Sequence, residues 1–289
     1  MPNTATSMVV ALTIAETRAA IAKARSEGAR VAFVPTMGAL HAGHLSLVER
    51  ARTEADFCVM SIFVNPLQFA PTEDLSRYPR PIEEDERLAS DAGVDLLFRP
   101  SVDEMYPPGR TITVTAGDLG IDWEGKSRPG HFDGVLTVVA KLFNIVHPDV
   151  TVFGRKDLQQ AALIQALVHD LDMPIEVIVA PIVREADGLA LSSRNRYLSP
   201  EDRQRALVLS RSLAAARDRF QQGERSVAAL EDAANRVMHS ESEVKADYLA
   251  VIDPATFRRP DSARPEHAVI VAARVGTTRL IDNTLLGRE

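Results

Sequence analysis

One cysteine, Cys58, stands among 289 residues, which rules out an intrachain disulfide and fits a reducing compartment. No positively charged leader precedes a long apolar stretch, and the apolar runs stop well short of a membrane span. A cytoplasmic protein with no membrane association is therefore expected. Basic excess is also missing. The formal net charge is −7, which argues against a general nucleic-acid binder. The imbalance lies in residues 1–183, with 16 basic against 24 acidic side chains, whereas 184–289 carry 17 against 16. Lysine is rare: Lys23, Lys126, Lys141, Lys156 and Lys245 are the only five among 33 basic residues. With arginine the default, a lysine is a weak sign that a compact ammonium is wanted. There is no internal repeat and no low-complexity tract.

What is present is an alternation of short apolar runs with helical patterns. VAFVPT (31–36), FCVMSIFV (57–64), VDLLF (94–98), DVTVFG (149–154) and IEVIVAPIV (175–183) read as buried strands. Between them, 44–55, 81–93, 134–146 and 156–171 read as helices. The second of these helices opens with Pro81 and acids and closes on Gly93, the usual order of helix start and stop signals. Strands buried on both faces and separated by helices predict an α/β, doubly wound, Rossmann-like parallel sheet. After the polar stretch READGLALSSRNRYLSP the pattern changes to two helices (200–222, 226–239) and three strands (near 246–252, 267–275 and 278–282). The expected division is a Rossmann-like nucleotide-binding domain over 1–183 and a smaller α+β lid domain over 184–289.

In an open α/β sheet, ligands bind beyond the carboxyl ends of the strands. The first of these runs ends at Pro35-Thr36, and Met37-Gly38-Ala39-Leu40-His41-Ala42-Gly43-His44 leads into a helix. The small residues let the backbone pass close to a ligand. Two imidazoles at a helix N-terminus add protonatable groups to exposed N–H donors, a combination suited to phosphate. No GK[ST] follows the glycines, so this is not a Walker loop. Taken alone, H-x-x-H also reads as surface-loop histidines or, less well, as a metal pair. The spacing is one short of the i,i+4 helical pair, and no cysteine or glutamate ligand stands beside it. The acidic run Glu83-Glu84-Asp85-Glu86 reads as first-turn partners of a helix dipole, with a metal-approach role as the lesser alternative. His131 in PGHFDG is open between a structural and a site role, and His147, His169, His239 and His267 receive no functional reading.

VPTMGALHAGHLSLV, SIFVNPLQF, HFDGVLTVV, FGRKDLQQ and DGLALSSRNRYLS, in that order over residues 34–199, resemble the pantoate–β-alanine ligase (pantothenate synthetase) family. The His41-Ala-Gly-His44 element also resembles the signature of the wider nucleotidyltransferase superfamily. The resemblance implies ATP, pantoate and β-alanine as substrates, Mg²⁺ accompanying ATP, no metal site of the protein's own, and a homodimer. It implies that Met37 to His44 form the loop over the nucleotide, with His41 and His44 on the phosphates and His44 protonating the leaving group. Gly154, Arg155, Lys156, Asp157 and Val183 would line the ATP site, Lys156 holding phosphate. Gln68, Gln160 and Asn65 would bind pantoate and admit β-alanine. Leu191, Ser192, Ser193 and Arg194 would close over the triphosphate.

The chemistry fits those residue types. Attack of a carboxylate on an already anionic α-phosphorus depends on positioning and charge neutralisation. Lysine offers a point cation and arginine a planar fork for phosphate oxygens. Glutamine amides donate to a carboxylate and accept from hydroxyls without adding charge. Two positions depart from the family's pattern: Arg155, where an acid is frequent, and Leu191, where methionine is. The rival readings are a nucleotidyltransferase that releases its adenylated product and a metal-binding module built on His41 and His44.

Overall fold

In the computed structural model, which describes residues 8–71 and 73–287, the five apolar runs become parallel strands and a sixth strand joins them. These are β1 (Val9–Ala11), β2 (Val31–Thr36), β3 (Phe57–Ile62), β4 (Leu96–Phe98), β5 (Val150–Gly154) and β6 (Glu176–Ala180), in the order β1-β4-β3-β2-β5-β6. The helices among them are α1 (Ile14–Ser26), α2 (Ala42–Glu54), α3 (Ile82–Asp91), α4 (Val102–Met105), α5 (Glu124–Ser127), α6 (His131–Val146) and α7 (Leu158–Asp170).

Strand residues alternate between two cores, as the period of two requires. Val31, Phe33, Val59 and Phe98 pack with Ile21 of α1 and with residues of α6 and α7. Ala32, Val34, Met60 and Leu97 face the other way, against Leu47 and Val48 of α2 and Ala89 of α3. Helices thus cover both faces, which is the doubly wound α/β arrangement anticipated from the apolar runs. Cys58 lies in the second core, where burial pushes its thiol up to about 12.

The differences from the pattern reading have local causes. β6 stops at Ala180 rather than Val183, because Pro181 has no N–H to extend the ladder. α7 begins at Leu158, after a 3₁₀ turn over Arg155–Asp157. β1 and α1 were not anticipated. α1 opens with a capping box, in which Thr13 Oγ1 accepts from Glu16 N and the Glu16 carboxylate accepts from Thr13 N.

Two compact units emerge. The first comprises the described parts of Met1–Gly120, Arg128–Gly154 and Leu163–Ala180; the second comprises those of Ile121–Ser127, Arg155–Ala162 and Pro181–Glu289. In the second, α8 (Pro200–Gln221) and α9 (Val227–Met238) accompany an antiparallel sheet of β7 (Val244–Ile252), β8 (Ala268–Val275) and β9 (Thr278–Leu285). This is the smaller α+β element expected. The segments 121–127 and 155–162 belong to it although they precede residue 181. Glu124 is anchored there by both terminal guanidinium nitrogens of Arg279, at 2.9 and 2.6 Å, and by the Tyr248 hydroxyl at 2.8 Å.

Candidate active site

In the first unit the strand order reverses at β2, which pairs with β5 only through Ala32 and Phe33. The last residues of β2 therefore open onto the crevice at the switch point. Thr36 turns the chain out of the sheet: its hydroxyl donates to Ser61 O at 2.8 Å and accepts from Gly38 N at 3.2 Å. Gly38 (φ +81°) and Ala39 (φ +51°) are both left-handed. A Cβ on Gly38 would lie 2.8 Å from Asp85 Oδ2 and 2.9 Å from Ile62 Cγ2, so glycine is required twice over. Ala39 holds a backbone conformation that costs an L-residue about 1–2 kcal/mol.

Asp85 supports that strain. Its carboxylate, 2% exposed, accepts from Ala39 N at 2.8 Å and Leu40 N at 2.7 Å. The acidic run must therefore be divided. Glu83 and Glu84 are exposed acids of the α3 first turn, as the dipole reading has it, whereas Asp85 turns inward and grips the Met37–His44 loop.

The loop delivers the chain to α2 with His41 as its N-cap, Nδ1 accepting from Gly43 N at 3.2 Å. An imidazole that accepts through Nδ1 carries its proton on Nε2, so His41 presents an N–H donor. His44 N donates to His41 O at 2.8 Å, and the two rings lie 4.1 Å apart, tilted by 35°. No acidic residue occupies the first turn of α2, which leaves its positive end to a ligand.

Next to this loop, Asn65 and Gln68 follow β3. Asn65 is 1% exposed, and all four of its hydrogen-bonding positions are engaged within the protein. Oδ1 accepts from Leu67 N at 3.2 Å and the Tyr106 hydroxyl at 2.8 Å, and Nδ2 donates to Gln68 Oε1 and Gly134 O, each at 3.0 Å. Asn65 thus acts by orienting Gln68. With Oε1 turned to Asn65, the Gln68 amide places Nε2 3.0 Å from the Met37 sulfur, a weak acceptor and its one partner among the described residues. A ligand oxygen would be a better partner.

The Gln68 backbone is held as well. Arg128 binds Glu73 through two bonds of 2.7 and 2.9 Å and places Nη1 3.0 Å from His131 Nε2. Arginine only donates, so His131 accepts at Nε2 and carries its proton on Nδ1, which donates to Gln68 O at 2.9 Å. His131, left open by the sequence, is thereby a support for Gln68. Burial pushes the Glu73 carboxyl up. The Arg128 hydrogen bonds and charge, with the Ala70 N–H, outweigh that and hold it below the ordinary carboxylate range.

Gly134 completes the support. A Cβ there would meet Leu67 O at 2.3 Å and Gln68 N at 2.6 Å. Gly134→Ala is expected to lose about 1–3 kcal/mol through overpacking, read as a lower denaturant midpoint at unchanged slope.

The remaining predicted residues lie in the second unit, apart from Gly154, which ends β5. Lys156 is half-buried on the 3₁₀ turn, its ammonium 4.0 Å from Asp157. Of the two adjacent glutamines, Gln159 is locked: Oε1 accepts from Glu124 N at 3.1 Å and Nε2 donates to Asp122 O at 3.0 Å. Gln160 is half-buried and is the one predicted for substrate. Val183 and Leu191 are joined across a loop by Leu191 N to Val183 O at 3.0 Å. Ser192 then caps the turn bearing Ser193 and Arg194, accepting from Arg194 N at 3.2 Å. Asn195 ties this turn to Glu185 at 2.9 Å, which Arg203 grips at 2.8 Å.

A sequence profile described as Pantoate-beta-alanine ligase matches residues 9–285. The pantothenate synthetase of Desulfitobacterium hafniense (strain DSM 10664 / DCB-2) is 51% identical over 279 residues, 96% of this chain and 99% of that protein. A crystal structure of pantothenate synthetase from Thermus thermophilus superposes with a TM-score of 0.93 at 50% identity, covering 97% of this chain and all of that one. A pantoate-beta-alanine ligase from Francisella tularensis, complexed with beta-gamma ATP and beta-alanine, gives a TM-score of 0.79 at 34% identity, covering 97% of this chain and 98% of that one.

Proposed function

The chain belongs to the pantoate–β-alanine ligase family, and from that premise we propose that it condenses pantoate with β-alanine using ATP. A pantoate carboxylate oxygen attacks the α-phosphorus, and the bond to the β-phosphate oxygen breaks, giving pantoyl adenylate and pyrophosphate. The β-alanine amine then attacks the acyl carbon, AMP departs, and the amine gives up a proton, leaving pantothenate.

The observation that carries this reading is the α2 N-terminus at the switch point, capped by His41 and stacked with His44. Negative charge grows on the departing pyrophosphate, and a fixed N–H donor, a second imidazole and a helix end offset it without reorganising. His44 acts as proton donor to the leaving group. Lys156 and Arg194 neutralise the phosphates, and Arg155, Gly154, Asp157, Val183, Leu191, Ser192 and Ser193 complete the nucleotide site. Gln68, whose Nε2 is aimed by Asn65, takes pantoate oxygen, with Gln160 as its second amide. Asn65 serves that site as a positioning residue.

Magnesium would enter with ATP. Among the described residues no three His, Cys, Asp or Glu side chains come together as a metal cage. The triphosphate oxygens and water would therefore supply most donors, the habit of this ion, and its charge would lessen that of the phosphates. Among the described residues no helix is long and apolar enough to cross a membrane. We place the enzyme in the cytoplasm as a homodimer acting on small molecules, with no nucleic-acid partner.

The deciding experiment is exchange of labelled pyrophosphate into ATP. Exchange is expected to require pantoate and to proceed without β-alanine, and AMP should appear stoichiometrically once β-alanine is added. Folded, active enzyme that shows no such exchange would overturn the two-step scheme.

A further inference from the structure

β9 carries three consecutive buried polar residues, Asp282, Asn283 and Thr284, none more than 3% exposed. Burying such groups is costly unless each finds partners. Asp282 finds Arg184, which donates from Nη1 at 2.7 Å and Nη2 at 2.9 Å and also reaches Asn283 O at 3.2 Å and Gly188 O at 3.1 Å. Burial pushes the Asp282 carboxyl up, against the opposing pull of Arg184 and, through space, of Lys156. The strand therefore pins the start of the loop that leads from Val183 to the Ser192–Arg194 turn.

Asn283 has a different target. Its side-chain nitrogen donates to Arg155 O at 2.9 Å and to Lys156 O at 3.0 Å, so both amide hydrogens serve successive carbonyls of one turn. Two carbonyls converging on one nitrogen leave the intervening peptide little rotation. That peptide carries Lys156, so its Cα–Cβ direction is set from a strand more than a hundred residues later in the chain. Aspartate has nearly the same shape and no donor; leucine fills the space without one.

We propose that Asn283 is a positioning residue for adenylation, fixing the Arg155–Lys156 backbone so that the Lys156 ammonium meets the nucleotide phosphates in a single orientation. This rests on the reading of Lys156 as the phosphate lysine. Misplacing a catalytic group by about 1 Å can slow a reaction about a hundredfold. Removing a cation that stabilises transition-state charge costs about 10²–10³-fold.

The test is a double-mutant cycle on pantoate-dependent pyrophosphate exchange, with N283D, K156A and the double variant. N283D is expected to slow exchange about a hundredfold. The same substitution in the K156A background should change the rate less than about threefold, because Asn283 acts through a side chain no longer there. Full multiplication of the two effects would mark Asn283 as a general structural residue and overturn the proposal. A K156A enzyme at the parent rate would overturn the reading of Lys156 together with it. Melting curves establish that each variant is folded. Should N283D not fold, N283S, which keeps one shorter donor and adds no charge, takes its place in the same cycle with the same two outcomes.

Discussion

His44→Ala is expected to slow pantoate-dependent pyrophosphate exchange by about 10²–10³-fold while leaving the fold intact. The asymmetry follows from what the ring does. His44 lies in the first turn of α2, where its backbone N–H is already bonded to His41 O at 2.8 Å, and alanine keeps that bond. The ring is half-buried and stacks on His41 rather than filling the core. Its removal should therefore shift the melting midpoint by no more than about 2 °C, as for a surface change of about 0.5 kcal/mol. His41→Ala makes the contrast, because it also deletes the N-cap, worth about 1 kcal/mol. It should lose both rate and stability, and His41→Asn, with a good capping side chain, should recover the stability alone. Exchange rates and melting curves on the four proteins separate the cases. A His44→Ala enzyme within twofold of the parent would remove this residue from the reacting phosphates.

The architecture was legible because its parallel strands are buried on both faces and so appear as unbroken apolar runs. β1 and α1 escaped that criterion. β1 has three residues, two of them exposed, and the buried face of α1 is made of Thr17, Ile21 and Ala24, of which Ile21 alone is a large apolar side chain. The Thr13-x-x-Glu16 capping box was the signal that would have found the helix. At the proposed site, the sequence points to motif residues but not to the groups that hold them. Asn65 looks from sequence like a ligand contact, since nothing local reveals that Tyr106 and Gly134 would engage its amide. Gln159 and Gln160 are equivalent as letters, and only the Asp122–Glu124 backbone distinguishes them. Asp85 was readable in principle. It stands four residues before buried Ala89, hence on the apolar stripe of α3, where an acid needs a buried partner.

That placement leads to the larger structural effect. Asp85→Ala would leave the N–H groups of Ala39 and Leu40 without their buried acceptor, at about 1–3 kcal/mol each. It would also release the left-handed Ala39, whose conformation nothing local favours. A stability loss of about 3–5 kcal/mol is expected, together with a fall of about a hundredfold in kcat/KM for ATP as the loop carrying His41 and His44 relaxes. Asp85→Asn is the sharper probe, since it keeps the volume. Its amide offers one oxygen to two donors and turns an NH₂ toward the second, so one N–H is opposed rather than paired. It should lose about half as much stability as alanine, yet nearly as much kcat/KM, because a loop held at one point is not a loop held in one place. Denaturant unfolding gives the first quantity and initial rates against ATP the second. If Asp85→Asn proved destabilised but kinetically normal, the carboxylate would serve the core of α3 alone, and the Met37–His44 loop would owe its shape to Thr36 and Gly38.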